Sequence, residues 1–205
     1  MDKVLGDMWA DIFRHALEHA EIALAALAAA CVLGAPLGVL ASLRRAARAP
    51  ILGVAAIGRT LPSIALLTLM LPWLGVGFLP AVVALTILAL PPIVVNVDLA
   101  ITGVSHAALD AATGLGMTAV QRFARITVPL ALPVALAGVR TAAVEVIGSA
   151  TLATFIGAGG LGDDIVRALQ VNDMALLAFA ALVVALMAFA AEFLFARLAA
   201  RLEYG

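Results

Sequence analysis

Hydrophobic residues gather into long stretches along this chain, separated by short polar segments. Five such stretches cover residues 20–43, 51–73, 78–103, 130–156 and 174–196. Each is long enough to cross a bilayer as a helix, which takes about 20 apolar residues. Prolines interrupt the third and fourth stretches, but neighbouring helices can satisfy the carbonyl groups that proline leaves free. The pattern predicts an all-α integral membrane protein with five transmembrane helices; six is the alternative.

Composition strengthens this prediction and excludes several classes of protein. The chain is 65% hydrophobic and only 12% charged, with a mean hydropathy of +1.17. Charged residues make up about a quarter of a soluble domain. We therefore expect a single transmembrane domain over residues 1–205. A net charge of -1 gives no case for nucleic-acid binding, and the lone Cys31 has no partner for a disulfide within the chain.

Basic residues follow alternate hydrophobic stretches, which predicts the orientation in the membrane. Seven of the twelve lie after the first, third and fifth stretches: Arg44, Arg45, Arg48, Arg122, Arg125, Arg197 and Arg201. Cytoplasmic loops carry the excess of arginine and lysine in membrane proteins. We therefore predict an external amino terminus, a cytoplasmic loop over residues 104–129 and a cytoplasmic carboxyl terminus.

The first 19 residues show a helical period of their own. Trp9, Ile12, Phe13, Ala16, Leu17 and Ala20 share one face, and Asp11, Arg14, His15 and Glu18 share the other. This predicts an amphipathic helix on the outer membrane surface. The stretch "HALEH" also matches the H-x-x-E-H pattern of some zinc peptidases, but no second cluster offers a third ligand. We expect no metal site.

Charged residues inside the predicted spans are candidates for a translocation pathway. These are Arg59, Asp98, Arg140 and Glu145, to which we add Asn96, Trp73 and Phe155. Ionisable groups at this depth face the bundle interior or water. Arg140 and Glu145 point about 140° apart on one helix, so they do not suit each other as partners. Lining a pathway and pairing between helices both remain open, as does an aromatic belt for Trp73 and Phe155.

A glycine-rich segment, "FIGAGGLGDDI", separates the last two stretches. It contains Gly157, Gly159, Gly160 and Gly162, followed by two aspartates. Glycine loops can cradle phosphate, but these aspartates would repel an anion. We predict a flexible outer loop that closes over the mouth of the pathway.

The longest polar interruption reads "DAATGLGMTAVQRFARITVPLALP", residues 110–133. Asp110 favours the start of a helix, two glycines punctuate it, and residues 117–126 form a second helical piece. Pro129 then lets the chain turn back into the membrane. The segment is too long and too structured for a simple connection, so we predict a docking surface for a protein partner.

This segment resembles the "EAA" loop of the permease subunits of ATP-binding-cassette (ABC) importers. The matching positions are Asp110, Ala111, Ala112, Gly116, Ile126 and Pro129, with Arg122 and Arg125 beside them. Aspartate replaces the usual glutamate. The segments "RTLPSIALLTLMLPWLGVGFLPAVVAL", "LPPIVVNVDLAITGV" and "ATFIGAGGLGDDI" are similar to the osmoprotectant branch, which imports glycine betaine, choline or carnitine.

The resemblance implies a type I ABC importer permease fold in the bacterial cytoplasmic membrane. It implies two ATPase subunits, a second permease subunit and an extracytoplasmic substrate-binding protein as partners. ATP and Mg²⁺ would bind the ATPase, so this chain itself would carry no cofactor and no catalytic residue. A permease for methionine or another small solute is the alternative, followed by a proton-coupled carrier.

Overall fold

A computed structural model describes the backbone of residues 2–203 and the side chains of residues 10–202. Within that range the chain forms only helices and the turns between them. The helices are α1 (Asp2–Leu43), α2 (Arg45–Gly58), α3 (Ser63–Leu74), α4 (Phe78–Thr102), α5 (His106–Gly114), α6 (Ala119–Arg122), α7 (Val128–Ala150), α8 (Leu161–Val171) and α9 (Met174–Glu203). A π-helical turn, Phe123–Thr127, precedes α7, and a 3₁₀ segment, Thr151–Ile156, follows it.

Among the described residues, four helices are long and apolar enough to cross a membrane: α1, α4, α7 and α9. The second predicted span is not one straight helix, because α2 and α3 meet at a bend of 99°. Pro62 explains the break. It precedes α3 in an extended conformation (φ -62°, ψ 133°), and proline disfavours helical geometry in the residue before it. Residues 51–73 are therefore hydrophobic throughout, but their backbone forms two helices instead of one.

Contacts at both ends show that the bent pair still runs the length of the bundle. Arg48, near the start of α2, bonds to Asp98 near the end of α4. Gly77, just after α3, donates its N–H to the carbonyl oxygen of Ile156 at 2.8 Å. We call the end with Arg48 and α5 the arginine end, and the end with Gly77 and residues 157–162 the glycine end. With the bent pair counted as one span, the five-helix prediction is confirmed.

The amino-terminal segment is helical, as predicted, but it is not a separate surface helix. Residues 2–19 continue into the first span as the single 42-residue helix α1. Phe13 and Leu17 are exposed, at 66% and 51%, as the apolar face requires. On the opposite face, His15 and Glu18 contact Asp164 and Gly160 at the start of α8, whereas Asp11 and Arg14 remain exposed. The predicted Trp9 side chain lies outside the described side chains.

Helix α4 forms the centre of the bundle and packs against both α1 and α7. Two glycines let these helices approach closely. A Cβ added at Gly38 would lie 2.6 Å from the Cβ of Val97, and one added at Gly138 would lie 2.6 Å from the Cβ of Asn96. Small residues play this role in membranes, where packing between helices drives association. Helix α9 packs on α7 and α8 and leaves much of its surface open.

Candidate functional site

The predicted docking segment forms a short helix, α5, at the arginine end of the bundle. Ala112 is buried, at 3% exposure, and Leu109 packs against a cluster formed by Ala100, Val104 and Ala131 of the main bundle. The other face of α5 carries Asp110 and Ala111, which are exposed. One side of α5 therefore rests on α4 and α7, and the other is open to a partner.

Gly116 ends α5 through a Schellman motif, in which a left-handed residue closes the last helical turn. Its N–H donates to Thr113 at 2.9 Å, and the next N–H, of Met117, donates to Ala112 at 3.1 Å. Gly116 has a φ of +76°, which glycine adopts without strain. The glycine of the matched motif therefore has a local backbone role. A Cβ added there would meet nothing within 4 Å, so its outer side is free.

A capping box starts the next helical piece, α6. Thr118 Oγ1 accepts from the N–H of Gln121, and the Gln121 side chain accepts from the N–H of Thr118. Arg122 Nη1 donates to Thr113 Oγ1 at 2.7 Å, which ties α6 back to α5. Arg125 is exposed. These hydrogen bonds are all local, so they fix the position of α6 relative to α5.

The path from α6 into α7 differs from the prediction. The second helical piece was expected over residues 117–126; the structure is helical from Ala119, first as α6 and then as the π turn, but the helix does not end at residue 126. The π turn, which includes half-buried Ile126, then leads into α7 without a break. Pro129 therefore does not turn the chain. It lies at the start of α7, directly after the π turn, within a continuous helical path.

The open face of this segment includes apolar side chains that the sequence analysis missed. Leu115 is 79% exposed and Val120 is 77% exposed. They flank the Gly116 turn in a segment that is otherwise polar or small. The sequence pattern that could have revealed them is a large apolar residue on each side of a glycine turn in a polar segment. Exposed apolar groups beside a polar rim are typical of protein interfaces.

The charged candidates for the pathway are not brought together into one site. Asp98 is buried, at 1% exposure, and its Oδ2 accepts from Nε and Nη2 of Arg48 at 3.2 and 2.9 Å. Arg140 pairs with Glu192 of α9, with Nε and Oε1 3.3 Å apart. These two contacts favour pairing between helices. Neither Arg48 nor Glu192 was identified from the sequence as a partner.

Glu145 and Arg59 differ from Asp98 and Arg140 in their exposure and contacts. Glu145 of α7 and Arg59, which follows α2, are both exposed in this single chain. A charge at this depth needs water or protein around it. Asn96 stays within its own helix, where its amide donates to the Pro92 carbonyl oxygen at 2.8 Å.

Trp73 and Phe155 lie at the glycine end of the bundle. They are 72% and 58% exposed, and Phe78 nearby in sequence is 49% exposed. The described residues around these three rings bury them only in part. This placement fits both the aromatic belt and a surface that meets a ligand or partner.

The glycine-rich segment is packed against α1, whereas the sequence predicted a flexible loop. The N–H of Gly160 donates to Glu18 Oε2 at 3.2 Å. A Cβ added at Gly160 would lie 3.3 Å from three atoms of His19, and one at Gly159 would lie 2.9 Å from Glu18 Oε2. Gly162 already belongs to α8, while Gly157 ends the 3₁₀ segment. The reason for the difference is the polar face of α1, which supplies partners for this backbone.

The two histidines of "HALEH" also bind into this region, each to its own partner. His15 Nδ1 donates to Asp164 Oδ2 of α8 at 2.8 Å. His19 is fully buried, and its Nε2 donates to the carbonyl oxygen of Ile147 in α7 at 2.9 Å. The polar face of α1 thus joins α7 and α8 at the glycine end.

Two curated relatives of this chain are transport permeases. The chain is 42% identical over 146 residues to the choline transport system permease protein OpuBB of Bacillus subtilis, covering 71% of this chain and 67% of that protein. It is 37% identical over 185 residues to the carnitine transport permease protein OpuCB of Listeria monocytogenes, covering 90% and 85%.

A solved structure matches the fold over almost the whole chain. It is a chain of the inward-facing MetNI methionine ABC transporter, with a TM-score of 0.83 at 22% identity, covering 96% of this chain and 98% of that one. The fold is therefore that of a type I ABC importer permease. Residues 32–204 match the family described as binding-protein-dependent transport system inner membrane component. The chain belongs to this family of multi-pass permease subunits in the cytoplasmic membrane.

Proposed function

We propose that this chain is the membrane-spanning subunit of an ATP-driven importer for osmoprotectants such as choline, glycine betaine and carnitine. The observation that carries the proposal is the α5–Gly116–α6 element on a chain of this family. Its local bonds give it one shape, and its open face presents small and apolar groups. The substrate class follows the names of the relatives, two of which transport choline or carnitine.

The proposed partners follow from the family and from the open surfaces. An ATPase subunit would dock on α5, and it would bind ATP and Mg²⁺ while this chain carries no cofactor. A second permease subunit, identical or related, would cover part of the exposed bundle surface. An extracytoplasmic binding protein would deliver the substrate at the glycine end. In this arrangement the arginine end and the carboxyl terminus are cytoplasmic, and the amino terminus is external.

Coupling would run through the buried side of α5. Movement of the ATPase would press on Asp110 and Ala111, and Leu109 would pass this movement to α4 and α7, on which it packs. The π turn joins α6 to α7 without a break, so the same movement reaches α7 through the chain. Rigid packed elements transmit such displacements as a whole.

The pathway would lie on the face that carries Glu145 and Arg59. Their charges need water or a second subunit around them, and a pathway between two permease subunits supplies both. Residues 157–162 would form the outer gate as a packed element that moves with α1 and α8. Trp73, Phe78 and Phe155 would offer ring faces to a quaternary ammonium ion near the outside.

The test is uptake of labelled choline and glycine betaine into proteoliposomes that hold the assembled complex, with ATP inside and binding protein outside. Gly116→Asp should abolish uptake and reduce copurification of the ATPase, because its side chain stands on the docking face. Gly75→Asp is the matched control. Gly75 also has a positive φ, of +72°, and open space around it, but it lies at the opposite end.

Three outcomes separate this proposal from its alternatives. Uptake that survives Gly116→Asp would refute docking at this turn. Uptake of methionine instead of choline would support an ATP-driven importer but with a different substrate. Uptake driven by a proton gradient without ATPase, and lost in Glu145→Gln, would indicate a secondary carrier.

A further inference from the structure

A cavity of about 460 Å³ opens at the arginine end of the bundle. It lies between the end of α1, the start of α2, the end of α4 and the start of α5. Arg45, Arg48 and His106 contribute its polar wall, and Ile101, Val104 and Leu109 contribute its apolar wall. The cavity therefore has a cationic side and a hydrocarbon side next to each other.

The positive charge of this cavity is not cancelled by the described residues around it. Arg48 directs Nε and Nη2 to Asp98, so that pair is close to neutral. Arg45 is exposed, and no described residue forms an ion pair or hydrogen bond with its guanidinium. Asp110 lies one turn along α5 and is not part of the lining. Arg45 therefore gives the cavity a net positive charge.

Two helices begin at the same cavity, and neither start is capped by a side chain. Arg45 is the first residue of the 14-residue α2, and His106 is the first of the 9-residue α5. Their N-cap residues, Arg44 and Ser105, make no side-chain bond to the helix, and neither first turn contains an acid. The first N–H groups of a helix lack partners within it, and the helix dipole makes this end attractive to anions.

We propose that this cavity binds the phosphate of an anionic membrane lipid. The guanidinium of Arg45 suits phosphate because its planar fork can donate two parallel hydrogen bonds. The apolar wall would take the glycerol and the start of an acyl chain. The site lies where the spans of α1 and α4 end, at Leu43 and Thr102, which is the depth of lipid headgroups.

A lipid bound here would link the start of α2 to the start of α5. Because α5 is the docking helix of the proposed importer, the lipid would hold this helix in place against the bundle. That consequence rests on the proposed function, whereas the binding itself does not. An experiment on binding alone therefore tests the site independently of transport.

The experiment is native mass spectrometry of the full-length chain in detergent, titrated with palmitoyl-oleoyl phosphatidylglycerol. Arg45→Gln should raise the dissociation constant for the lipid about fivefold. This is roughly the change in affinity expected when one basic residue near an anionic lipid is removed. His106→Gln should weaken binding less. Arg44→Gln is the matched control, because it removes the same charge one residue away and outside the lining. Thermal unfolding checks that each variant is folded.

Several results would overturn the proposal. Equal loss in Arg44→Gln would indicate a diffuse basic surface instead of a built cavity. Equal binding of phosphatidylcholine would remove the requirement for an anion. Displacement of the lipid by millimolar inorganic phosphate would assign the site to a free anion, and displacement by the purified partner ATPase would assign it to an acidic protein segment.

Discussion

Two glycines at opposite ends of this bundle, Gly116 and Gly162, are needed for different reasons. At the arginine end, Gly116 stands in open space, with nothing within 4 Å of the position of a Cβ. At the glycine end, a Cβ added at Gly162 would lie 2.1 Å from the carbonyl oxygen of Thr151. The first glycine is needed for its backbone angle, whereas the second is needed for its lack of a side chain.

This difference follows from what surrounds each segment. The α5–α6 element is held by bonds within its own sequence and leaves one face free for a partner. Residues 159–162 at the glycine end are held by groups from α1 and the 3₁₀ segment, so an added side chain finds no space there. A glycine-rich sequence can therefore mark an open docking turn or a closely packed joint, and only the neighbours decide which.

The largest effect is expected for Gly162→Ala, which tests whether the glycine end is as closely packed as described. Overpacking commonly costs about 1–3 kcal/mol, and a backbone oxygen has little freedom to move, so we expect the upper end of this range or more. Unfolding in mixed detergent micelles measures the change. The matched control is Gly53→Ala in α2, where a Cβ meets nothing within 4 Å. If both variants unfold alike, the packing argument is wrong.

Replacing Asp164 tests the bond that joins α1 to α8. Asp164→Leu leaves the imidazole of His15 without its acceptor, and an unpaired buried polar group costs about 1–3 kcal/mol. Asp164→Asn should cost less, because its amide oxygen can still accept from Nδ1. The same unfolding measurement compares them. Equal loss in both variants would show that charge, not the hydrogen bond, holds this contact.

Gly116→Ala tests the backbone role of the docking turn. A left-handed conformation costs a residue with a Cβ about 1 kcal/mol, with no clash to add to it. Gly116→Asn should cost less, since asparagine tolerates this conformation at helix ends. Stability is measured by unfolding as above. A larger loss for asparagine than for alanine would show that space, not the backbone angle, limits this position.

The smallest effect is expected for Glu18→Gln. The amide oxygen of glutamine can still accept from the N–H of Gly160, so the change should stay within about 0.5 kcal/mol, as for a neutral hydrogen bond. Glu18→Ala removes the acceptor and should cost more. The comparison fails if glutamine and alanine destabilise the protein equally.

The sequence was sufficient for the spans and for the docking segment. Continuous apolar runs determine where helices cross a membrane, and the spacing from Asp110 to Pro129 carried the family resemblance. The fold class and five spans could therefore be predicted from local information. The left-handed turn at Gly116 could also have been expected from a glycine after a short helix.

The remaining features depend on contacts that no local pattern records. Arg140 meets Glu192, and Arg48 meets Asp98, because helices far apart in sequence pack at particular rotations. Hydropathy did not show the bend before α3, although Pro62 was a local signal for it. The flexible loop was the wrong prediction at residues 157–162, since its partners lie on the polar face of α1.

The bond between His15 and Asp164 also has a consequence for the time course of biosynthesis. These residues are 149 positions apart, and a ribosome adding about 5–20 residues per second needs roughly 7–30 s to make that interval. During this time α1 is already present, while its partner on α8 does not yet exist. The bonds of the α5–α6 element, by contrast, can form as soon as the element has left the ribosome. His15 is thus made long before the bond that holds it can form, and a ribosome that stalls before α8 leaves His15 without this partner.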